Sequence, residues 1–534
     1  MARIAAKRRE LTHITLLLVS CGLFFFTAID LRGLSNPFEA ALSEVAREML
    51  ENGAWFAPRL NYAPYLDSPF LHHWLLALSF KLWGVSEAGA RMVPGILATF
   101  SVLLVYFIGR RLWTPQAGFW SALVMTSSLL FIAAAQSVTL YMPALCSLLL
   151  AASGIVNITK GLRRGRYFWA LGLSAGFLSQ GIMGLLLPLI LLAAFVFCSG
   201  EIKLLRELFR LRAVIIILLL CLSWYILAGW NNDQFGAVFW SAQVNGFFTR
   251  PDSWNLGQFF LLTVLGFLPW LALLPWAFKQ IWPGWKALRQ PVHRPFLLLT
   301  AWLLGMLGFL ILVNLNGQAW GLPLLPPLAL ITGWSLAQFM SYGQEEENTS
   351  LLRRCICCLA VLLLFFALAL SVATSVSPAL NTLRLSALVL PLGPILLALG
   401  IFHWRGRWWI TVAAPLGAAL LIMLCLLPVG KMMGNWHSSR TVVQALTDML
   451  GPGDQLVSVG DDYPGLAFYS QRPVLLSGKS ALPRLLVNSK VRLIVICPVE
   501  SFNALQADLA SFTETKTVEW LRLDGQVVFS NQAR

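Results

Sequence analysis

The sequence predicts a polytopic α-helical membrane protein of about thirteen spans followed by a soluble C-terminal α/β domain. Three observations carry that prediction. The 534 residues are 58% hydrophobic and only 12% charged, with a mean hydropathy of +0.72, which is more apolar surface than a soluble core could hide. Apolar runs long enough to cross a bilayer recur as far as residue 428. Beyond Lys431 the texture changes to short β-rich runs alternating with helical ones.

The N-terminus, MARIAAKRRELTHITLLLVSCGLFFFTAIDLRG, has a basic start and a long apolar run without a clear small-residue cleavage site, so 13–31 reads as a retained first span. Further spans are expected near 88–109, 117–135, 138–158, 212–230, 257–277, 296–314, 322–340, 355–373, 384–402 and 408–428. The stretch 167–199 is too long for one span and divides at Ser179-Gln180-Gly181. Lys and Arg accumulate in alternate loops, roughly 22 in one set against roughly five in the other. The positive-inside rule then makes the N-terminus cytoplasmic, and an odd number of spans puts residues 431–534 on the outer face, the periplasm of a bacterial inner-membrane protein. The chain thus divides into a membrane domain, 1–430, and an extracytoplasmic domain, 431–534.

Two outer loops are long, 32–87 and 231–256. The first contains an amphipathic stretch, FEAALSEVAREMLENG, and an apolar one, PFLHHWLLALSFKLWG, which is short for a span and would reverse the charge bias downstream if it crossed. Both read as helices lying along the membrane surface. In the tail, strands are expected at Gln455–Val459, Pro473–Leu476, Val491–Ile496, Lys516–Leu521 and Gln526–Phe529. Helices are expected at Ser438–Leu450 and Ser501–Ser511, and the alternation suggests a small, partly parallel sheet.

Several function classes recede. The net charge of +15 sits in short clusters between apolar runs, not along one polar face, which argues against nucleic acid. The tail has no glycine fingerprint at a strand-to-helix turn, and no inverted repeat of interrupted spans marks a transporter. Of nine cysteines only Cys497 lies in the tail, so no disulfide can form within it.

The first outer loop is the most informative segment. Its Glu39, the Ser43-Glu44-Val45-Ala46-Arg47-Glu48-Met49 helix, the Trp55…Pro58-Arg59-Leu60-Asn61 turn, Asp67-Ser68-Pro69…Trp74 and Arg91 resemble the corresponding loop of GT-C glycosyltransferases. The branch is that of the lipid A aminoarabinose transferase and the protein O-mannosyltransferases. Thr139-Leu140-Tyr141-Met142-Pro143 and Leu322-Pro323-Leu324-Leu325-Pro326-Pro327 match two more family segments. The resemblance implies a GT-C-like fold and an enzyme that moves a sugar from a polyprenyl-phosphate carrier to an outer-face acceptor such as lipid A, a glycan or a protein. That chemistry needs an outer-loop carboxylate, as general base or metal ligand, and cations to steady the departing lipid phosphate.

Measured against the family, charge is missing. Phe38 precedes Glu39 where the family has an acidic pair, and Tyr141 replaces a second aspartate. Gln180-Gly181 stands where a lysine precedes glycine, Asn316 replaces a later lysine, and Gln318 stands where proline is usual. In the second outer loop, Ala242-Gln243 and Gly246 replace a Glu-His and an Arg. Removing one member of a buried ion pair costs about 3–5 kcal/mol, whereas removing both can be neutral, and here both signs have gone together.

The remaining candidates are Glu39 and Asp67 as the catalytic acids implied by the resemblance, with Arg59, Arg91, His72, His73, Tyr141 and Gln180 as substrate-binding groups. A divalent metal would fall to Glu39, Asp67 and His73. Adjacent histidines point to different helix faces, so at most one of His72 and His73 is expected to face a site. Glu44, Arg47 and Glu48, spaced as helix-surface neighbours, read as a solvated or Arg-paired polar face. Two functions follow: a membrane glycosyltransferase using a polyprenyl-phosphate-linked sugar, or a pseudoenzyme of the same fold that binds the lipid-linked substrate or regulates a partner membrane transferase.

Overall fold

The computed structural model describes residues 2–65, 68–230, 256–281, 290–312, 321–342, 438–460, 463–489, 491–504, 518–523 and 526–531, with isolated residues between 235 and 243, between 351 and 372, and at 417. The spans expected at 384–402 and, apart from residue 417, at 408–428 lie outside the described residues, as do eight of the nineteen residues of 355–373. Two compact units divide the chain: Met1–Thr27, Asp67–His72 and Met92–Pro428 form the first, and Ala28–Leu66, His73–Arg91 and Val429–Arg534 the second.

In chain order the helices are α1 (Ala2–Phe25), α2 (Phe38–Asn52), α3 (Leu71–Trp83), α4 (Glu87–Leu112), α5 (Pro115–Thr126), α6 (Leu129–Ala135), α7 (Tyr141–Thr159), α8 (Gly165–Gln180), α9 (Ile182–Ser199), α10 (Ile202–Leu208) and α11 (Leu211–Trp230). After these come α12 (Leu256–Gly266), α13 (Leu274–Ile281), α14 (Arg294–Leu312) and α15 (Leu325–Tyr342). Among the described residues six helices are long and apolar enough to cross a membrane, or up to eight if each of two bent pairs is one span. The 13-residue α3 is not among them.

In the first unit α7 packs on α8, α15 on α5, and α14 on α9. Small residues set the spacing of the first pair, because a Cβ on Gly172 would come within 2.5 Å of the Ala151 amide nitrogen. The long apolar run divides where the sequence suggests. Gly181, at φ 65° and ψ −138°, ends α8 and starts α9 in a conformation that only glycine adopts without strain.

Two helix pairs are sharply bent, and their bends brace each other. The α5–α6 pair turns by 70° at Ser127-Ser128, and the pair formed by α12 and the helix that starts at Trp270 turns by 88° around Pro269. Across this junction the Leu129 amide donates to the Leu268 carbonyl at 3.0 Å. The buried Trp270 indole N–H donates to Ser127 Oγ at 2.9 Å. Backbone groups released by one break are thereby satisfied by the other, which a membrane interior requires.

The second unit holds α2, most of α3, a two-residue hairpin and an α/β layer. The hairpin pairs β1 (Arg59–Leu60) with β2 (Ala63–Pro64). Its turn residues Asn61 and Tyr62 both have positive φ, the backbone of a type I′ turn. The sheet contains β3 (Gln455–Ser458), β4 (Val474–Leu476), β5 (Leu493–Pro498), β6 (Val518–Leu523) and β7 (Gln526–Ser530) in the order β4-β3-β5-β7-β6. Its first three strands are parallel and the last two antiparallel, as expected of a partly parallel sheet. Alternation along the strands feeds two cores. Val457, Val495, Val527 and Phe529 pack with Leu482 and Leu486 of α18 (Leu482–Asn488). Leu456, Ile494, Ile496 and Val528 pack with Val442 and Leu446 of α16 (Arg440–Leu446) and Leu466 of α17 (Tyr463–Ser470). α17 and α18 were not anticipated, since eight and seven residues are too few to show a helical period.

Candidate functional site

The sequence marks the first outer loop, and within the second unit that loop builds a buried charge cluster around Glu39. Pro37 precedes α2 and supplies no side-chain cap, so Glu39 sits in the first turn, where the helix dipole favours an anion. Arg32 reaches it bidentately, Nη1 to Oε2 at 3.0 Å and Nη2 to Oε1 at 3.1 Å. The Ser35 amide and hydroxyl donate to Oε2 at 3.0 and 3.2 Å. Arg91 Nη2 donates to the same oxygen at 3.1 Å. Arg91 is fully buried, and its terminal nitrogens also donate to the carbonyls of Ile29 (2.8 Å), Arg32 (2.6 Å) and Gly33 (2.8 Å).

This geometry fixes what the cluster can do. One carboxylate and two guanidiniums, with three backbone carbonyls accepting from Arg91, knit the segment 29–39 to the start of α4. Each Glu39 oxygen already accepts donors, so taking a proton from an incoming hydroxyl requires one of them to withdraw. Arg91, expected to bind substrate, is here engaged in holding the loop.

The face of α2 carrying Glu44, Arg47 and Glu48, expected to be solvated or paired with Arg, is paired but buried. Arg47 Nε and Nη2 bond the two Glu44 oxygens at 2.7 Å each, and Nη1 bonds Glu51 at 2.8 Å. Burial pulls the Arg47 guanidinium down, but the Glu44 and Glu51 carboxylates outweigh it and hold the group above its ordinary range. α2 is buried by β1, which follows it closely, and by α17, some four hundred residues on, a contact that no local pattern reveals.

The other expected residues are dispersed. His73 is fully buried, with its ring edge-on to Tyr65 at 5.7 Å. Burial lowers its pKa to about 4, against a raising hydrogen bond to the Leu42 backbone, so the ring is neutral at pH 7. Arg59 lies exposed on β1. His72, Tyr141 and Gln180 belong to the first unit, the first and last buried and Tyr141 half-buried at the start of α7. Asp67 lies outside the described residues.

For a divalent metal the described residues offer a poor fit. Among them no three His, Cys, Asp or Glu side chains gather as a metal site requires, and Glu39 accepts from guanidinium, amide and hydroxyl donors.

In the first unit Gln243, one of the positions singled out in the second outer loop, meets the Gly181 break that follows Gln180. Gln243 Oε1 accepts the Ile182 amide at 3.0 Å, capping the N-terminus of α9. The same amide lies against Gly181, where any Cβ would collide with it. The residues around Gln243 are anchored by an aromatic cluster: Trp224 of α11 meets Phe235 at 5.1 Å and Phe239 at 5.2 Å, edge to face. Sequence reading missed Arg32 and Ser35 as partners of Glu39. The available signal was that Arg32 is one of the few cations in an outer loop.

Comparison with known proteins bears on the family. The model of the dolichyl-phosphate-mannose-protein mannosyltransferase family matches residues 67–226. The undecaprenyl phosphate-alpha-4-amino-4-deoxy-L-arabinose arabinosyl transferase of Pseudomonas aeruginosa is 29% identical over 344 residues, covering 62% of this chain and 61% of that protein. Its counterpart in Erwinia tasmaniensis is 26% identical over 420 residues, 75% of this chain and 74% of the relative. The match to the Pseudomonas relatives thus spans about three-fifths of their length. Among solved structures, ArnT from Cupriavidus metallidurans bound to undecaprenyl phosphate superposes with a TM-score of 0.82 at 19% identity, over 97% of this chain and 98% of that one. The apo oligosaccharyltransferase of Archaeoglobus fulgidus gives 0.52 at 12% identity, over 98% of this chain and 74% of that one. The chain thus has a polytopic membrane fold of the GT-C type and is similar in sequence to the undecaprenyl phosphate aminoarabinose transferases, in keeping with the resemblance of its first outer loop.

Proposed function

We propose that the chain is a bacterial inner-membrane glycosyltransferase that takes a sugar from a polyprenyl-phosphate carrier and attaches it to an acceptor on the outer face. The observation that carries this reading is the sequence relationship to undecaprenyl phosphate aminoarabinose transferases, joined to a shared fold over nearly the whole chain. In this proposal the N-terminus is cytoplasmic, about thirteen spans cross the bilayer, and the second unit lies on the outer face. Asp67 is the acid that meets the acceptor, and Glu39 positions the loop that carries it, because the Glu39 oxygens already accept from Arg32, Arg91 and Ser35.

A second reading, binding without transfer, is favoured by one specific contact. The amide of Gln243, which stands where the family resemblance calls for a titratable side chain, is taken up in capping the N-terminus of α9 beside Gly181. One experiment separates the two readings. Purified protein in lipid nanodiscs is given an undecaprenyl phosphate-linked aminopentose and lipid A, with and without divalent metal. Transfer that Asp67→Asn abolishes establishes the enzyme. Saturable binding of the carrier lipid with no transfer under either condition establishes the binding protein and overturns the first reading.

A further inference from the structure

The buried face of α2 holds more negative than positive charge, and one of its carboxylates is incompletely paired. The guanidinium of Arg47 pairs with the buried Glu44 and with the exposed Glu51, and Glu48 feels the charge of Glu44. Arg47 satisfies Glu44 and Glu51, whereas Glu48 is 1% exposed and uses one oxygen, Oε2, to accept the Tyr62 amide at 2.9 Å. Its other oxygen is buried and meets no hydrogen-bond donor among the described residues.

Tyr62 stands at φ 62° and its neighbour Asn61 at φ 54°, left-handed conformations in which a tyrosine is strained. The turn therefore needs holding, and two contacts hold it. Glu48 grips its backbone from α2. On the other side Asn61 bonds β4 in both directions, its Nδ2 donating to the Val474 carbonyl at 2.6 Å and its Oδ1 accepting the Val474 amide at 2.9 Å. Asn61 and Tyr62 also wall an open cavity of about 470 Å³ with Gln455, Pro473, Val474 and Leu475.

We propose that Glu48 is a proton-operated latch: protonated, it seats the Asn61–Tyr62 turn and with it the edge of the C-terminal sheet, and ionised, it loosens both. A carboxylate beside Glu44, shut off from water, is costly, and a proton on Glu48 removes the like-charge repulsion and gives the pair an O–H donor. Among the described residues, charged and titratable groups lie on α2 and on each element packed against it. On α2 these are Glu44, Arg47 and Glu51, and on the hairpin Tyr62, whose hydroxyl turns to Glu51, and the exposed Arg59. On α17, which packs against α2, they are Tyr463 and Tyr469, the latter donating to Glu87 and accepting from the Leu34 amide. His73 of α3 bonds the Leu42 backbone and is neutral at pH 7.

The sign follows from the geometry. Burial is the largest influence on the Glu48 carboxyl and raises it; the Tyr62 and Asn61 amides pull it back, Glu44 pushes it up, and the balance lies at about 7 against an ordinary 4.5. A raised carboxylate favours the seated state below its ordinary value, and the advantage is lost as pH rises, by up to tenfold per pH unit between 4.5 and about 7. The test is hydrogen–deuterium exchange of residues 59–64 in the full chain in nanodiscs from pH 5 to 8, corrected for intrinsic exchange. In the wild type, protection should fall at least several-fold across this range. Glu48→Gln, which keeps shape and mimics the protonated group, should stay protected throughout, and Glu44→Gln should move the midpoint to lower pH. Overlapping profiles for wild type and Glu48→Gln, or a midpoint that Glu44→Gln leaves in place, overturn the latch.

Discussion

Arg91 and Glu39 meet at 3.1 Å with both side chains out of contact with water, 52 residues apart in sequence. A buried pair of this kind is informative because its members cannot be removed singly without cost. Arg91→Met takes from the buried Glu39 carboxylate one of its cations, and Glu39→Leu leaves a fully buried guanidinium without its carboxylate. Each should destabilise the protein by about 3–5 kcal/mol, while the double substitution should recover a large part of that loss. Thermal unfolding of the four proteins in one detergent measures the coupling, and additive losses would show that the pair is not a unit.

The cap at the broken helix gives a second prediction. Gln243→Ala should cost about 1 kcal/mol, the usual loss when a helix N-terminus gives up its side-chain acceptor. Gly181→Ala should cost more, since it adds a strained φ to a collision with the Gln243 amide. Melting temperatures of the two variants should therefore rank in that order.

Ser127 offers a test inside the membrane unit. Ser127→Ala leaves the buried Trp270 N–H without its acceptor, a loss of about 1–3 kcal/mol. Ser127→Cys, which keeps a weak acceptor, should lie between the two in thermal stability.

Acid should act on the second unit through Asp454. Its hydrogen bonds with Arg492 hold the carboxyl below the ordinary 3.8, and the Gly451 amide adds to the effect against a raising contribution from burial. A depressed carboxyl stabilises the fold above its unfolded value and loses that contribution as pH falls through its folded one. Protection of the 449–456 segment from hydrogen exchange should accordingly drop below pH 3.8, and Asp454→Asn should show the weakened state already at pH 7.

Much of this architecture was legible in the sequence where one physical signal dominates. Long apolar runs gave α4, α7, α11 and α14, and Gly181 marked the division between α8 and α9. The strands of the C-terminal sheet were visible as β-rich runs between turns. The bend at Ser127-Ser128 was hidden inside a continuous apolar stretch, because hydropathy reports solvent preference and not backbone direction. The site was less legible. Glu39 stood out as a family acid, but its partners Arg32 and Arg91 were not assigned to it, since an ion pair is a three-dimensional fact. The buried state of Glu44, Arg47 and Glu48 was misread for a related reason: an i, i+3 and i, i+4 charge pattern is identical on a solvated helix and on one covered by another part of the chain.

The Asn61 side chain answers the two main-chain polar groups of Val474 on β4, which is one edge of the five-stranded sheet. At the opposite edge, β6 is interrupted by a register shift between Glu519 and Leu521. Neither border offers a neighbouring molecule an uninterrupted ladder to extend, so copies crowded in the plane of a membrane are discouraged from zipping together through their α/β layers.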